Sequence, residues 1–592
     1  MNIEKVLQDS IKAALLQKFE VSENEIILQP TKKDFEGTYT FVVFPYVKTL
    51  RKSPVELGNT IGEFLKENSG IVSTYNVVQG FLNISVSDST WLSIFKEISA
   101  DKNFGQLPDK NETVMVEYSS PNTNKPLHLG HLRNNFLGFS VAQILAANGY
   151  KVVKANLVND RGIHICKSML AYQKFGKGET PESTGMKGDH LVGKYYVEFD
   201  KHYKTEIEAL KAQGLSEDEA KKQAPLLIEA QEMLLKWENG ETETVALWEK
   251  MNEWVFAGFN ETYKKMGVSF DKMYRESNTY LLGKETVEEG LTKGVFFKKE
   301  DGSVWIDLTD EGLDQKLVLR KDGTSVYITQ DMGTADLKFK DFNMSKSIYV
   351  VGNEQDYHFD VLFKIIKKLG RSYADGCFHL SYGMVDLPTG KMKSREGTVV
   401  DADDLMSEMV ETARERTNEL GKIEDFTSEE AEELYRTLAM GALKYFLLKV
   451  DPKKRMLFNP QESIDFQGNT GPFIQYTFAR ISSILRKAEQ LGISLETLPE
   501  LNGLHESEQE VIYLLSQFPN RIADAGREYA PSLIAQYAYD LAKAYNRFYN
   551  EVSIFNETEE DLVRFRLAFS KITGETIQKA IALLGVGVPS RM

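Results

Sequence analysis

His128 and His131, three residues apart in Pro126-Leu127-His128-Leu129-Gly130-His131, combine a residue type and a spacing that suit phosphate chemistry. They end a turn rich in Ser, Pro and Asn that follows the strand-like run Val114-Met115-Val116, and a helix pattern continues over 132–148. The first turn of a helix offers unpaired amide N–H groups and the positive end of its dipole, and both favour a bound phosphate. Neutral imidazoles add hydrogen-bond donors, and Gly130 leaves room for a flat base or a ribose. A phosphate-rich nucleotide is the guest that such a turn predicts. Taken alone, the same residues are equally compatible with a plain helix cap.

Two further polar clusters bear on that choice. The run Gly390-Lys391-Met392-Lys393-Ser394-Arg395-Glu396-Gly397 carries three cations in five residues between glycines, the composition of a phosphate clamp; standing alone it would read as an exposed basic turn. Asn353-Glu354-Gln355-Asp356-Tyr357-His358 follows a short apolar strand at 347–352, so its polar side chains fall at the strand's carboxyl end.

Such residues need a scaffold that gathers strand ends. Residues 151–158 read as a second strand, so strand, helix and strand follow one another within about 45 residues. That is a βαβ crossover, hence a parallel sheet with its ligands at the carboxyl ends. Residues 175–265 interrupt the core with charged, mostly helical sequence. There Trp237, Trp248, Trp254, Phe256 and Phe259 read as packing anchors, and the Lys/Glu runs as a solvated face. The core resumes near Tyr274. It continues through β-rich stretches at 304–308 and 316–320, a turn at 321–324, strand-like 325–329, a helix starting near Asp331, a helix at 359–369 and a strand at 378–385.

From Ser428, read as a helix cap, nearly every segment has helical periodicity. Tyr537, Tyr539, Tyr545, Phe548 and Tyr549 recur at helical spacing; they read as core, with base stacking beside Lys543 and Arg547 as the alternative. Residues 1–108 read as a small α+β module, either accessory packing or partner binding, with strands at 38–44 and 81–86 and a helix at 54–66.

At 592 residues the chain exceeds a single core, and three or four domains are expected. With 42% apolar and 27% charged residues it reads as soluble and globular. A net charge of −16 argues against a general nucleic-acid coat but leaves room for a local basic strip. Two distant cysteines, Cys166 and Cys377, argue against a disulfide scaffold and a thiolate zinc site, and fit a reducing compartment. No apolar run approaches the ~20 residues that span a bilayer. The first helix is amphipathic rather than a secretion signal, so a cytoplasmic location and no membrane partner are expected.

H-L-G-H at the first strand–helix turn, with K-M-K-S-R about 260 residues later in an α/β core followed by helices, resembles the class I aminoacyl-tRNA synthetases. The runs SSPNTNKPLHLGH, DGTSVYITQD, VGNEQDYHF, GPFIQYTFAR and VPSRM are similar to arginyl-tRNA synthetases across essentially the whole chain. The resemblance implies a Rossmann-like α/β parallel-sheet catalytic domain at 109–450 with a helical insertion at about 175–265. It also implies a small N-terminal α+β domain at 1–108 that contacts tRNA, and an all-α anticodon-binding domain at 451–592.

It further implies arginine–tRNA ligation, with L-arginine, ATP accompanied by Mg2+, and tRNA(Arg) as partners. The enzyme would act as a monomer without a tightly bound protein-ligated metal, and its first step would require bound tRNA. Carried over by motif, Glu117, Tyr327 and Asp331 would hold the guanidinium, while Asn122 and Gln355 would hold the amino-acid end. The alternative for Glu117 is an internal salt bridge with Arg161 or Arg133. His128 and His131 would stabilise charge on the phosphates, with Gly130, His358, Met392, Lys393 and Ser394 on the ATP side. The second signature departs from the class pattern K-M-S-K-S: Ser394 stands where a lysine is expected, so Lys125 together with Lys391 is expected to replace it ahead of Lys393.

Two other activities compete: a small-molecule nucleotidyl transferase of the same fold, which the large helical C-terminal part disfavours, and a noncatalytic RNA-binding relative, which the intact histidines disfavour. A cysteine-specific synthetase is disfavoured by the missing thiolate zinc site.

Overall fold

A computed structural model describes residues 3–592 apart from Lys33, 387–399, Leu420, Lys422, Glu424 and Glu496. It divides into two compact units. One comprises residues 1–104, 481–518 and 540–576; the other comprises 105–480, 519–539 and 577–592.

In the first unit, β1 (Leu28–Pro30), β2 (Tyr39–Val42), β3 (Val72–Val78) and β4 (Phe81–Val86) form an antiparallel sheet in the order β1-β2-β4-β3. The inner strands fall in the runs that the sequence predicts, but Tyr39, Thr40 and Phe41, and Leu82, Asn83 and Ile84, are buried in succession rather than alternately; β1 and β3 are additional strands. The helix Pro54–Asn68 starts as Ser-Pro implies, with the Ser53 side chain accepting the Glu56 N–H. Leu7, Ile11, Leu57, Ile61, Leu82 and Ile84 are fully buried. The helix Asp88–Ala100 turns Trp91 and Phe95 inward, and Phe95 meets Phe565 and Phe569 at ring-centroid distances of 5.3 and 5.9 Å. The N-terminal module and these C-terminal helical segments therefore share one core.

In the second unit, β5 (Thr113–Glu117), β6 (Lys151–Val158) and β7 (Lys272–Arg275) are followed by a small antiparallel sheet of β8 (Phe296–Lys298), β9 (Val304–Ile306) and β10 (Lys316–Leu319). After these come β11 (Lys346–Gly352), β12 (Cys377–Tyr382) and the short parallel pair β13 (Val385–Asp386) and β14 (Met456–Leu457). The main sheet is parallel throughout, in the order β12-β11-β5-β6-β7. Val114, Met115 and Val116 of the central β5 are fully buried, as a strand covered on both faces requires. The chain winds outward from β5 through β6 to β7, then returns to the other side of β5 as β11 and β12. The switch point between β5 and β11 is where a doubly wound sheet opens a crevice for ligands.

In the connection from β6 to β7, the helix Ile163–Phe175 comes first, and the helices Gly188–Ala212, Glu217–Gln223, Pro225–Glu238 and Thr242–Met266 occupy the stretch at about 175–265. Its aromatics pack: Trp237 lies 5.3 Å from Trp248, and Phe259 is buried. Among the described residues, no helix is long and apolar enough to cross a membrane.

Two local expectations are corrected. Residues 325–329 are not a strand, because the helix Tyr327–Phe342 already begins there. Thr329 Oγ1 accepts the Val326 N–H at 3.3 Å, and its hydroxyl donates to Val318 O, so the Val-Tyr-Ile alternation is a helix entry with Ile328 inward and Tyr327 outward. The helix Ser428–Leu448 is capped by Thr427, one residue earlier than expected, whose side chain accepts the Glu430 N–H at 3.2 Å.

Candidate active site

After β5 the chain makes a sharp turn through two consecutive left-handed serines, Ser119 (φ 76°) and Ser120 (φ 46°). Such a conformation costs on the order of 1–3 kcal/mol per residue unless neighbours impose it. Here the Ser119 N–H donates to Asn134 Oδ1 (2.5 Å) and the Ser120 N–H to Asn156 Oδ1 (3.1 Å), while the Ser119 hydroxyl meets Tyr263 OH at 2.7 Å. Residues 121–123 then run beside the end of β6, with Asn122 opposite Asn159. The helix Leu129–Ala147 packs hard on this turn: a Cβ at Gly138 would lie 2.3 Å from Tyr118 Cβ.

His128 is the N-cap of that helix, and the two imidazoles form a reciprocal box. His128 Nδ1 accepts the Gly130 N–H at 3.1 Å, and His131 Nδ1 accepts the His128 N–H at 3.2 Å. The rings lie 4.0 Å apart between centroids. A ring nitrogen that accepts a backbone N–H has no proton, so each neutral ring carries its proton on Nε2. Burial and the Lys125 charge push His128 down to about 4; burial, His128 and Lys125 push His131 well below the ordinary histidine value. Both rings are thus neutral Nε2–H donors at neutral pH. Gly130 leaves space for the folded ring, since a Cβ there would lie 3.0 Å from His128 Cε1. The helix cap and the donor pair are therefore one construction.

Two residues further on, the guanidinium of Arg133 is buried and donates to backbone carbonyls on both sides of the sheet end: Gly383 O (2.6 Å), Lys454 O (3.0 Å) and Pro452 O (3.1 Å), with longer contacts to Asp451 O and Met384 O. Asn134 Nδ2 donates to Val350 O at 2.7 Å, tying the same helix to β11 across the switch point.

Beyond the turn lies a cavity of about 690 Å³, lined by Asn122, Arg161, Glu276, Tyr280, Ser325 and Tyr327 among others. Its lining mixes charge: the carboxylates of Glu238 and Glu276 with the cations of Arg161, Lys284 and Arg320, beside the rings of Tyr280 and Tyr327. Burial pushes Glu276 up to about 7; Arg161 opposes this, and Asp160 and Asp331 add to it. Arg161 is already paired, with Nη2 2.7 Å from Glu238 Oε1 and its plane 3.9 Å from the Tyr280 ring. Tyr327, 75% exposed, and Asp331 stand on the first and second turns of one helix, four residues apart as a shared face requires. Carboxylates such as Glu276 and Asp331 suit a planar, multiply donating cation.

The family model for the catalytic domain of class I tRNA synthetases (R) matches residues 94–459. The DALR anticodon binding domain matches 474–592, and the arginyl tRNA synthetase N-terminal domain matches 1–86. The arginine–tRNA ligase of Amoebophilus asiaticus is 59% identical over 596 residues, covering 100% of both chains. That of Bacteroides thetaiotaomicron is 59% identical over 97% of this chain and 96% of its own. The chain belongs to the arginyl-tRNA synthetase family. In architecture it is similar to the Thermus thermophilus arginyl-tRNA synthetase, with a TM-score of 0.79, 25% identity and 100% of each chain covered. The Plasmodium falciparum arginyl-tRNA synthetase shares the fold, with a TM-score of 0.72 at 20% identity over 100% of this chain and 99% of its own.

For an arginyl-tRNA synthetase, the expected site residues fall into four groups. His128, His131, Gly130 and Lys125 are together on the turn after β5, and burial lowers the Lys125 ammonium. Asn122 and Tyr327 line the cavity, and Gln355 is exposed on the short turn after β11. Lys391, Met392, Lys393 and Ser394 lie outside the described residues.

The fourth group carries corrections. Glu117 is not a free guanidinium ligand. It is 5% exposed and its Oε2 is paired with the buried ammonium of Lys338, so the internal ion pair exists, with a partner other than Arg161 or Arg133. His358 is not a free ring: its Nε2 is 2.6 Å from Asp331 Oδ2. Sequence reasoning missed Glu276, Arg133 and Lys338. Glu276 follows the carboxyl end of β7, and that position was its one available signal.

Proposed function

We propose that the turn and the cavity divide the two small substrates of arginine–tRNA ligation between them, ATP on the turn and arginine in the cavity. ATP binds on the turn after β5, with His128 and His131 aiming Nε2–H donors at its phosphates and Lys125 and Lys391 adding positive charge. Asp331, Glu276 and Tyr327 hold the guanidinium, and Asn122 and Gln355 hold the amino-acid end. An oxygen of the arginine carboxylate then forms a bond to the α-phosphorus as the bond to pyrophosphate breaks, giving arginyl-adenylate. In the second step a ribose hydroxyl at the tRNA 3′ end attacks the carbonyl carbon and AMP leaves. Mg2+ enters with ATP, held chiefly by the phosphates.

The observation that carries this reading is the pair of neutral Nε2–H imidazoles on a helix N-terminus at the sheet's switch point. Residues 451–592 would read the anticodon loop and 1–108 another part of tRNA(Arg), with the protein acting as a cytoplasmic monomer. The decisive experiment is exchange of labelled pyrophosphate into ATP across a panel of amino acids, with and without tRNA. Exchange with arginine alone, and only with tRNA present, is expected; exchange with another amino acid would overturn the assignment of the cavity.

A further inference from the structure

The His128 turn is also held from outside the sheet. Residues 400–402 run antiparallel to it: Val400 O accepts the Leu129 N–H at 2.9 Å, Leu127 O accepts the Ala402 N–H at 2.9 Å, and Asp401 lies opposite His128. Asp401 Oδ1 then accepts the N–H groups of Asp403 and Asp404 at the start of the helix Ala402–Glu419.

The helical insertion grips this strip through a largely buried ion cluster. Asp403 Oδ2 accepts from Lys187 Nζ (2.5 Å) and the Thr262 hydroxyl (3.1 Å), and its Oδ1 accepts from Lys265 Nζ (2.9 Å). Lys187 also reaches Asp189, which is fully buried, at 3.0 Å. His190 Nε2 lies 3.4 Å from Asp403 Oδ2 and 3.5 Å from Asp401 Oδ2. Ligand atoms of Asp189, His190 and Asp403 lie within 4.8 Å of one another, but Lys187 already bonds both carboxylates and supplies their counter-charge. A second contact is independent of these charges. A Cβ at Gly193, on the helix that starts beside Lys187, would lie 2.8 Å from Pro126 Cδ and 3.7 Å from Lys125 Cα.

Buried ion clusters contribute little net stability, because desolvation offsets the Coulombic gain. Their value lies in geometry, and here the cluster bears on the backbone of 127–129 through residues 400–402. We propose that Lys187, Asp189 and Asp403 are positioning residues for the nucleotide turn: through residues 400–402 they fix the 127–129 backbone, and with it the aim of the His128 and His131 donors. The insertion is thereby part of the nucleotide site without touching the nucleotide. This rests on the reading of that turn as the ATP site.

The test uses the full-length protein in aminoacylation assays with saturating tRNA. Asp403→Asn and Lys187→Met should raise the ATP KM about tenfold while the arginine KM stays within twofold, and Lys187→Arg should recover most of the loss. Gly193→Ala, which pushes on Pro126 without altering any charge, should shift the ATP KM in the same direction. Lys174→Ala, which breaks only the exposed pair with Glu229 in the same insertion, should change neither constant. If a single charge variant does not fold, the charge-balanced Lys187→Met/Asp403→Asn pair is judged by the same criterion. Lower thermal stability with an unchanged ATP KM, or equal rises in both KM values, would overturn the proposal. His131→Ala measured alongside separates the two readings. A harmless His131→Ala would fault the ATP site itself, whereas a damaging one beside a harmless Asp403→Asn would fault only the positioning role.

Discussion

At His131 one nitrogen is committed to the backbone and the other is left as a donor, so the side chain's contribution is a single oriented hydrogen bond in a dry place. Removing one such donor costs about 3 kcal/mol of transition-state stabilisation. His131→Ala should therefore lower kcat roughly hundredfold with little change in arginine KM, as measured by steady-state aminoacylation. In the proposed reading Asp331 contributes to binding instead. Asp331→Ala should cost about 2–3 kcal/mol, raising arginine KM roughly 30- to 150-fold while tRNA affinity is retained. Glu276 gives this site a pH dependence whose sign follows from its environment. Its carboxyl group is pushed up to about 7 by burial, with Arg161 opposing and Asp160 and Asp331 adding. In the free protein it therefore gains a proton as pH falls through 7, whereas a guanidinium requires the carboxylate. Arginine KM should rise as pH drops below about 7, approaching tenfold per unit. Glu276→Gln should raise KM above pH 7, where the parent carries the carboxylate, and flatten that profile; an unchanged profile would remove Glu276 from the slot.

Among the secondary-structure elements, the helix Leu129–Ala147 has the heaviest structural duty. Its first turn presents the histidines, and its second places Arg133 among carbonyls of the segments around 383 and 452–454. Arg133→Met would leave those carbonyls buried without donors, at a cost on the order of 3 kcal/mol. The denaturant midpoint should fall while the m-value is retained, and a midpoint within error of the parent would refute the anchoring role. These elements were unequally legible in the sequence. Period-two and period-3.6 patterns reveal β5, the helix after it and β6, because a doubly covered strand and its crossover helix must bury particular faces. The 325–329 run reads as a strand in sequence, because its alternation is set by a helix entry whose hydrogen bond to Val318 reaches another element. The Glu117–Lys338 pair joins a strand end to a helix about 220 residues later, and no local pattern reports on that. Glu276 looks like any surface glutamate until the fold buries it beside Asp160.

For the molecule as a whole, sequence resemblance and compaction draw different boundaries. The anticodon-binding domain model covers 474–592 without a break, yet the segments 481–518 and 540–576 pack with residues 1–104, while 519–539 and 577–592 pack with the catalytic sheet. The reason lies in where the large apolar side chains meet. Phe95 from the N-terminal module is almost fully buried against Phe565 and Phe569, Trp91 edges onto Tyr513 at 6.2 Å, and Asp88 Oδ1 accepts from Gln509 Nε2 at 2.6 Å. Tyr537, Tyr545 and Phe548 are buried, which makes the aromatic stripe core packing; Tyr549 is 40% exposed, and Arg547 is engaged by Glu506, Glu510 and Glu551. A packing defect at Phe95 should consequently be felt in the C-terminal segments of its own unit and not in the nucleotide turn. Phe95→Ala removes a buried ring at a cost of about 3–5 kcal/mol. In calorimetry it should lower one unfolding transition and leave unmoved the transition that ATP and arginine raise, because ligands stabilise only the unit that binds them. Steady-state arginine KM and ATP KM should match the parent, while tRNA KM rises as the surface formed with residues 1–104 loosens. A single transition that shifts as a whole, with both small-substrate constants degraded, would show that the units unfold together and that the nucleotide turn depends on a core to which it contributes no side chain.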